Sequence, residues 1–422
     1  MLEGEIIKYY REKMGLTQAM LGEGICTTTH VSKIERGKTA YSADIIALFS
    51  ERLGIDIENE IKSIHQIQKK LQEWHSALIM QKENQIEEIK QEFDQIPFIQ
   101  SSQYASHYYL VKARYYFHHK KVDLAYQTMV YVEKEYPVLS NYEKNFFLHL
   151  KGMYYLQNYS SYNNEDKQIA ITILKQIDIE EYRNEEVYYH MACAYRYANS
   201  KLLTYIYAEK ALKFFKSSNN YIAAINAETL MLMQYGSEVE IDFPDLINRY
   251  HHLIHNCEVL GAQEKKAILL NNLGVVYFQR KEYDLAAKYF EESVNHTESN
   301  STIYYLRRFT NYIESCTEGL LVDKVTLLRK IKMGMTLAKN IKSGLHYCLL
   351  KVFKLKIEDK HIGYYTFLAE EAIPLFLETN NQFYSEQYGK KLYKYYLETE
   401  QFQKAIELSK QLSLIDDKKL LI

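Results

Sequence analysis

The sequence has few of the residues that interrupt helices: 4 prolines and 15 glycines in 422 residues, where average composition is about 5% proline and 7% glycine. Cysteine is also scarce. The five cysteines are far apart and odd in number, which argues against a disulfide framework and against CxxC-type zinc sites. No uncharged run approaches the ~18 residues that a transmembrane helix needs. A disulfide-bonded or membrane-spanning protein is therefore not expected.

Strong net charge is absent too. The formal net charge is −2, so any contact with nucleic acid must come from a local cluster of basic residues. The first residues are charged throughout and lack the apolar segment of a signal peptide. From these features we expect a cytoplasmic protein.

What the chain does contain is typical of helices. Hydrophobic residues make up 47% of the sequence, and 40 residues are tyrosine, whose flat ring and polar tip suit half-buried positions between helices. Abundant Leu, Ile, Lys, Glu, Gln and Ala favour helix throughout. We predict an all-α fold.

Residues 1–58 carry start and stop signals for four short helices. Thr side chains stand where N-caps are expected, and Gly follows each apolar stretch. The predicted helices are a first that stops at Gly15, a second from Gln18 to Glu23, a third capped by Thr27 and ending at Gly37, and a fourth from Ala43 to Leu53. A Gly-bearing turn between the second and third is the helix-turn-helix plan.

In that plan the start of the third helix enters the major groove of DNA. Val31 and Ile34 are expected to face inward, as are Met20 of the second helix and Leu48 of the fourth. Short polar and basic side chains on the outer side can contact base edges and phosphates. The predicted DNA-binding residues are Gln18, Thr28, Thr29, Ser32, Lys33 and Lys38.

Residues 59–98 keep a helical pattern up to Pro97 and are predicted to be a helical connector, with Trp74 in a core. Internal repeats follow over residues 99–422. The clearest is "ILLNNLGVVYFQRKEYDLAAKYFEESV" (268–294), in which Gly274 and Ala286 allow two helices to cross closely. This is the tetratricopeptide pattern. Degenerate copies predict eight or nine helix pairs in a right-handed superhelix whose inner surface is lined by the first helix of each pair.

A groove of this kind suits an extended peptide. Asn can donate to and accept from a peptide backbone at once, and Arg can receive a carboxylate. Residues of both types recur at the first-helix positions of the repeats. The predicted peptide-binding residues are Asn226, Asn272, Asn311, Arg114, Arg196 and Arg307.

No pattern in the sequence predicts catalysis, a cofactor or a metal. His251 and His255 have a spacing that can bind zinc, but no second ligand cluster accompanies them. His118 and His119 lie at a predicted helix end, where the helix dipole favours them without any function. Phosphate-binding glycine loops and the GxSxG motif are absent.

The segment "LTQAMLGEGICTTTHVSKIERGKTAYSADIIALFSERLG" (16–54) resembles the Xre/434-repressor type of helix-turn-helix domain. One departure is that the stretch between the second and third helices is one residue shorter. The resemblance implies that Gln18 binds phosphate and that Thr28, Thr29 and Lys33 read bases.

Helix-turn-helix followed by a tetratricopeptide array resembles the Rap–NprR–PlcR–PrgX–Rgg group of peptide pheromone receptors in Gram-positive bacteria, and its NprR-like branch in particular. The resemblance implies a cytoplasmic receptor for a short imported peptide that regulates transcription, as an activator, by binding double-stranded DNA. It also implies a homodimer or homotetramer that changes with peptide, groove Asn residues that hold the peptide backbone, and a sporulation response regulator as partner of the peptide-free form.

Two alternatives remain open. A Rap-like scaffold or phosphatase would act on a response regulator without binding DNA. A peptide-independent repressor would use the array only to oligomerise.

Overall fold

In the computed structural model every regular element of the described residues is helical, which confirms the all-α prediction. The described residues are 2–39, 42–96, 99, 104–157, 164–235, 242–297, 299–379 and 381–420. They form two compact units, Met1–Leu203 and Thr204–Ile422, which are treated separately below. None of the described helices combines the length and the apolar character needed to cross a bilayer.

The first unit begins with four short helices. Thr17 and Thr27 cap the second and third as predicted, since their side chains accept hydrogen bonds from the N–H groups of Met20 and His30. Gly54, in the left-handed conformation, ends the fourth. The helices are α1 (Leu2–Lys13), α2 (Gln18–Gly22), α3 (Thr28–Glu35) and α4 (Ala43–Leu53).

The core of these four helices is small, and two residues expected in it are exposed. Met20 is 50% and Leu48 is 44% exposed. Each lies about 100° around its helix from a fully buried neighbour, Leu21 or Phe49, and only one side of each helix is covered. Gly4 allows α1 to approach α3, because an added Cβ would lie 2.2 Å from the Ile34 carbonyl oxygen.

The predicted connector forms a helix hairpin. Helix α5 (Ile57–Met80) turns at Gln81, which adopts the left-handed conformation, into α6 (Glu83–Asp94). Trp74 is 1% exposed, with its ring 5.4 Å from that of Phe93, which confirms its place in a core. Pro97 and residue 98, the predicted end of the connector, lie outside the described residues, and the domain limits 1–58, 59–98 and 99–422 stay a prediction.

Helix pairs continue through the first unit. The helices are α7 (Ala105–His118), α8 (Val122–Glu135), α9 (Asn141–Gln157), α10 (Asn164–Leu174), the single turn α11 (Ile179–Tyr182), α12 (Val187–Tyr197) and α13 (Lys201–Ser217), which runs on into the second unit. Ala113 and Ala125 are fully buried where α7 crosses α8. This is the small-residue packing that the repeat pattern predicts.

The second unit contains five further pairs. They are built from α14 (Tyr221–Leu232), α15 (Phe243–Val259), α16 (Gln263–Gln279), α17 (Tyr283–Asn295), α18 (Ile303–Gly319), α19 (Lys324–Asn340), α20 (Gly344–Ile357), α21 (His361–Phe367), α22 (Ile373–Glu378), α23 (Gln382–Glu398) and α24 (Phe402–Leu420). A π-helical segment, Leu368–Ala372, joins α21 to α22, just before Pro374 removes one backbone donor.

Close helix crossings explain why small residues recur. A Cβ added to Gly274 of α16 would lie 2.7 Å from the ring of Phe290 on α17. With the pairs α7/α8 and α9/α10 of the first unit, seven helix pairs are described within the two units, and α12 and α13 follow one another along the chain where the units meet in sequence. The prediction of a helix-turn-helix domain followed by a repeat array is confirmed.

Candidate functional site

Helix α3 exposes most of the residues predicted to contact DNA. Thr28, Thr29 and Lys33 are exposed on α3, and Lys38 is exposed just beyond its end. The opposite side of the helix is fully buried. Hydroxyl and ammonium groups therefore stand on one accessible side, where they can donate to base edges or phosphates.

The expected outward orientation of Ser32 was wrong. Ser32 is 9% exposed, because the side chain of Arg36, one turn further on, folds over it. Arg36 Nε donates to the Ser32 carbonyl oxygen at 3.2 Å, and its Nη2 also contacts the Ser32 hydroxyl. Ser32 thus orients a guanidinium instead of facing a ligand.

A buried ion pair fixes the position of α3. Arg11 Nε donates to Glu35 Oε1 at 2.5 Å, and both residues are less than 9% exposed. Gln18 Nε2 donates to Glu35 Oε2 at 2.7 Å, so the side chain predicted to bind phosphate is held within the domain. The hydrogen bond to Glu35 raises the pKa of Arg11 further above its usual value.

Arg52 of α4 supports the turn that precedes α3. Its Nη1 donates to the carbonyl oxygens of Leu21 at 2.9 Å and Met20 at 3.4 Å and also contacts that of Glu23. The last carbonyl groups of a short helix have no acceptor role within the helix and need such donors. Neither this contact nor the Arg11–Glu35 pair was predicted, since the partners are 24 to 32 residues apart and no local pattern connects them.

The three predicted Asn residues lie on α14, α16 and α18 of the second unit, and each is partly exposed. Asn311 Nδ2 donates to Oδ1 of Asn271 at 3.0 Å, which joins the first helices of two successive pairs. Asn272 Nδ2 has no hydrogen-bond partner in the described part of the chain. Sequence reasoning thus missed Asn271, one position away from the residue it selected.

The Arg residues are placed differently from one another. Arg114 of α7 is only 7% exposed, and its Nη2 donates to Glu186 Oε1 at 2.7 Å, so the expectation that it is available to a peptide carboxylate was wrong. The reason is that Glu186, 72 residues away, supplies the carboxylate from within the chain. Arg196 is partly buried in the first unit, and Arg307 is exposed on α18 in the second.

A polar stripe on α18 was not predicted. Arg307, Asn311, Glu314 and Glu318 recur at helical spacing on one side of this helix, and Glu314 is only 4% exposed. Gln387 Nε2 on α23 donates to Glu314 Oε1 at 3.3 Å. The i, i+4, i+7, i+11 spacing of these polar residues was the signal in the sequence that could have predicted the stripe.

The two carboxyl groups of this stripe differ in pKa. Burial raises the pKa of Glu314 to about 7, with the charge of Glu318 acting in the same direction. Burial also acts to raise the pKa of Glu318, but its hydrogen bond with Lys356 and the charge of Lys391 outweigh burial and lower it. Glu314 therefore changes its charge near neutral pH, while Glu318 stays ionised.

Comparisons with known proteins agree with this organisation. Residues 7–58 match the helix-turn-helix family model. The transcriptional activator NprA of Geobacillus stearothermophilus is 21% identical over 400 residues, covering 89% of this chain and 94% of the relative.

Two solved structures share the fold. The apo form of the quorum sensor NprR from B. thuringiensis has a TM-score of 0.69 at 19% identity and covers 85% of this chain and 99% of its own. NprR in complex with its cognate peptide NprX has a TM-score of 0.62 at 20% identity, covering 82% and 97%. The resemblance predicted from the sequence is confirmed: the chain is similar to the NprR-like regulators, with a helix-turn-helix domain in front of a repeat array.

Proposed function

We propose that this chain is a cytoplasmic receptor for a short signalling peptide and a DNA-binding transcriptional activator. The observation that carries the proposal is the exposed side of α3, where Thr28, Thr29 and Lys33 stand together in a chain that also carries an array with polar first helices. The relatives support both parts, since one is named a transcriptional activator and another was solved with its cognate peptide.

The DNA contact is proposed to use the domain of helices α1 to α4, called the head below. Thr28 and Thr29 lie at the start of α3 and contact base edges, while Lys33 reaches a guanine or a phosphate and Lys38 a phosphate. Gln18, held by Glu35 in the free chain, keeps its carbonyl oxygen and second amide hydrogen for a phosphate or water contact.

The peptide contact is proposed to use the second unit. Asn226, Asn272 and Asn311 lie on first helices of three successive pairs. Each amide can hold a peptide backbone irrespective of the peptide side chains. The Nδ2 of Asn272 has no partner among the described residues, and a hydrogen bond to a ligand would remove that penalty of about 1–3 kcal/mol. Arg307, on α18 of the same unit, is proposed to receive a carboxylate. The role predicted for Arg196, which lies in the first unit, stays a prediction.

Peptide binding is proposed to change a homodimer or homotetramer. One small helix-turn-helix domain gives limited affinity for DNA, so two heads are needed to bind two half-sites. A peptide that binds one arrangement more tightly by about 3–5 kcal/mol is sufficient to switch the population.

The test begins with DNA. The sequence that the full-length chain prefers is first selected from a pool of random double-stranded DNA. Fluorescence anisotropy then measures the affinity of the Thr29→Ala and Lys33→Ala variants for this sequence. A lost base contact weakens binding by about 1–3 kcal/mol. Lys62→Ala removes the same charge from an exposed position on α5, outside the matched segment, and serves as control. Equal affinity of all three variants would contradict the proposed interface.

The second arm adds a synthetic peptide encoded by a short reading frame next to the gene. A change in both DNA affinity and oligomer mass by light scattering is expected. DNA binding that is unchanged by any peptide would favour the peptide-independent repressor. A chain that does not bind DNA but captures a phosphorelay response regulator would favour the Rap-like scaffold. Capture of a response regulator only without peptide would add that partner to the proposed receptor.

A further inference from the structure

Two acidic residues and two histidines meet between α6 and α7 in the first unit. Glu83 and Glu87 lie one turn apart on α6, and His118 and His119 lie at the C-terminal end of α7. His118 Nε2 lies 2.6 Å from Glu83 Oε1, and His119 Nε2 lies 3.2 Å from Glu87 Oε1. One ligand atom each from Glu83, His118 and His119 lie within 4.8 Å of one another.

One ring nitrogen of this cluster has unused bonding capacity. His119 Nε2 is shielded from solvent and makes no hydrogen bond within the described residues, although Glu87 is close. Glu87 is instead held by Tyr115, whose hydroxyl donates to its Oε1 at 3.0 Å. A buried nitrogen without a partner is unfavourable by about 1–3 kcal/mol, which a bound ion would relieve.

Charge also favours a cation here. Two carboxylates balance the charge of a divalent ion, and the C-terminal end of α7 adds the negative end of the helix dipole. A second cluster in the same unit, His149, Glu186 and His190, is less suitable. Arg114 already neutralises Glu186 at 2.7 Å, so an ion there would leave two uncompensated positive charges in the interior.

We propose that Glu83, His118 and His119 form a site for a divalent transition-metal ion of the zinc class, with Glu87 as the supporting carboxylate beside His119. Imidazole nitrogen and carboxylate oxygen are the ligands that zinc takes in open three-residue sites, with water in the fourth position. The ion would join the connector hairpin to the first helix of the array. No metal was expected from the sequence, because Glu83 lies 35 residues before His118 and no local spacing connects them.

The test uses the full-length chain, stripped with a chelator and dialysed. Zn²⁺ is titrated against a chromophoric chelator, and Co²⁺ serves as a spectroscopic probe because tetrahedral Co²⁺ absorbs strongly in the visible range. One tight equivalent per chain is expected, and His118→Ala and His119→Ala should remove it. Glu83→Gln, at a side chain that is 61% exposed, should do the same without disturbing the fold. Glu87→Gln should weaken binding less than Glu83→Gln does, because it removes a nearby negative charge but no proposed ligand atom.

The exposed pair His251 and His255 provides the matched control, since His251→Ala with His255→Ala removes two histidines with helical spacing from elsewhere. This variant should keep the tight equivalent. The proposal is overturned if the native chain binds no Zn²⁺ tightly, or if the tight equivalent survives in the His118→Ala, His119→Ala double variant. Circular dichroism of each variant confirms that lost binding is not lost folding.

Discussion

Replacing Glu314 by glutamine should change the stability of the protein in a pH-dependent way. The carboxyl pKa rises from its ordinary 4.5 to about 7 in the folded chain, and each pKa unit corresponds to about 1.4 kcal/mol. The folded state therefore favours the protonated acid. The stability from this group is fully present below about pH 4.5 and is lost as the pH rises through 7. The whole effect is about 3 kcal/mol, of which about 2 kcal/mol falls between pH 5.5 and pH 8.

Glutamine has a similar shape but no charge to bury. When the pH is raised from about 5.5 to 8, the free energy of unfolding of Glu314→Gln should increase by about 2 kcal/mol relative to that of the native chain. Urea unfolding, followed by far-ultraviolet circular dichroism at both pH values, measures this difference. Groups that titrate in both proteins, including the buried histidines, cancel in the comparison.

Glu318, one turn further along α18, is the matched control. Its pKa is lowered, since the hydrogen bond with Lys356 and the charge of Lys391 outweigh burial. Glu318→Gln should therefore destabilise the protein, and do so fully at pH 8, where the lost carboxylate was ionised. The reasoning is refuted if the effect of Glu314→Gln is the same at both pH values, or if Glu318→Gln shows the same gain in stability between pH 5.5 and pH 8.

Four further variants test the packing of the four N-terminal helices, and one of them, Gly344→Ala, is a control in the second unit. Gly4→Ala should destabilise the first unit by about 3 kcal/mol in urea unfolding, because its Cβ would meet the Ile34 carbonyl oxygen at 2.2 Å. Gly344→Ala, where no atom lies within 4 Å of the added Cβ, should instead stabilise the protein by about 0.4–1 kcal/mol. Equal effects of the two substitutions would contradict the contact between Gly4 and Ile34. Arg11→Ala leaves Glu35 buried without its cation and should lower the free energy of unfolding by about 3–5 kcal/mol. Because this pair holds α3 in place, the variant should also bind DNA more weakly. Combining Arg11→Met with Glu35→Leu should restore most of that stability, and a double variant as unstable as Arg11→Ala would exclude the ion pair as the cause.

Local signals predicted most of the head. Thr17 and Thr27 cap their helices and Gly54 ends α4, because capping needs only residues within one turn. The Arg11–Glu35 pair could not be predicted, since it depends on how two helices pack and not on any spacing along the chain.

The repeat array was predicted as an arrangement of paired helices, but several features of these pairs were not predicted. Small residues where helices cross, such as Gly274, are local evidence of a helix pair. Many turns, however, place residues other than glycine in the left-handed conformation, among them Lys281 and Lys342, and composition gives no hint of these. Arg114 was misjudged for a related reason, since its partner Glu186 comes from another pair.

The charges around α18 narrow the class of peptide that the second unit would hold. Arg307, Lys356 and Lys391 supply three cations, whereas Glu318 is the carboxylate with a lowered pKa and Glu314 is neutral below about pH 7. An excess of positive charge beside a polar helix face favours a carboxylate on the ligand. We therefore expect a bound peptide to lose affinity when its C-terminal or side-chain carboxylate is amidated. Anisotropy should show this loss for the native chain but not for Arg307→Ala, and amidated peptides that bind equally well would exclude a carboxylate contact in the second unit.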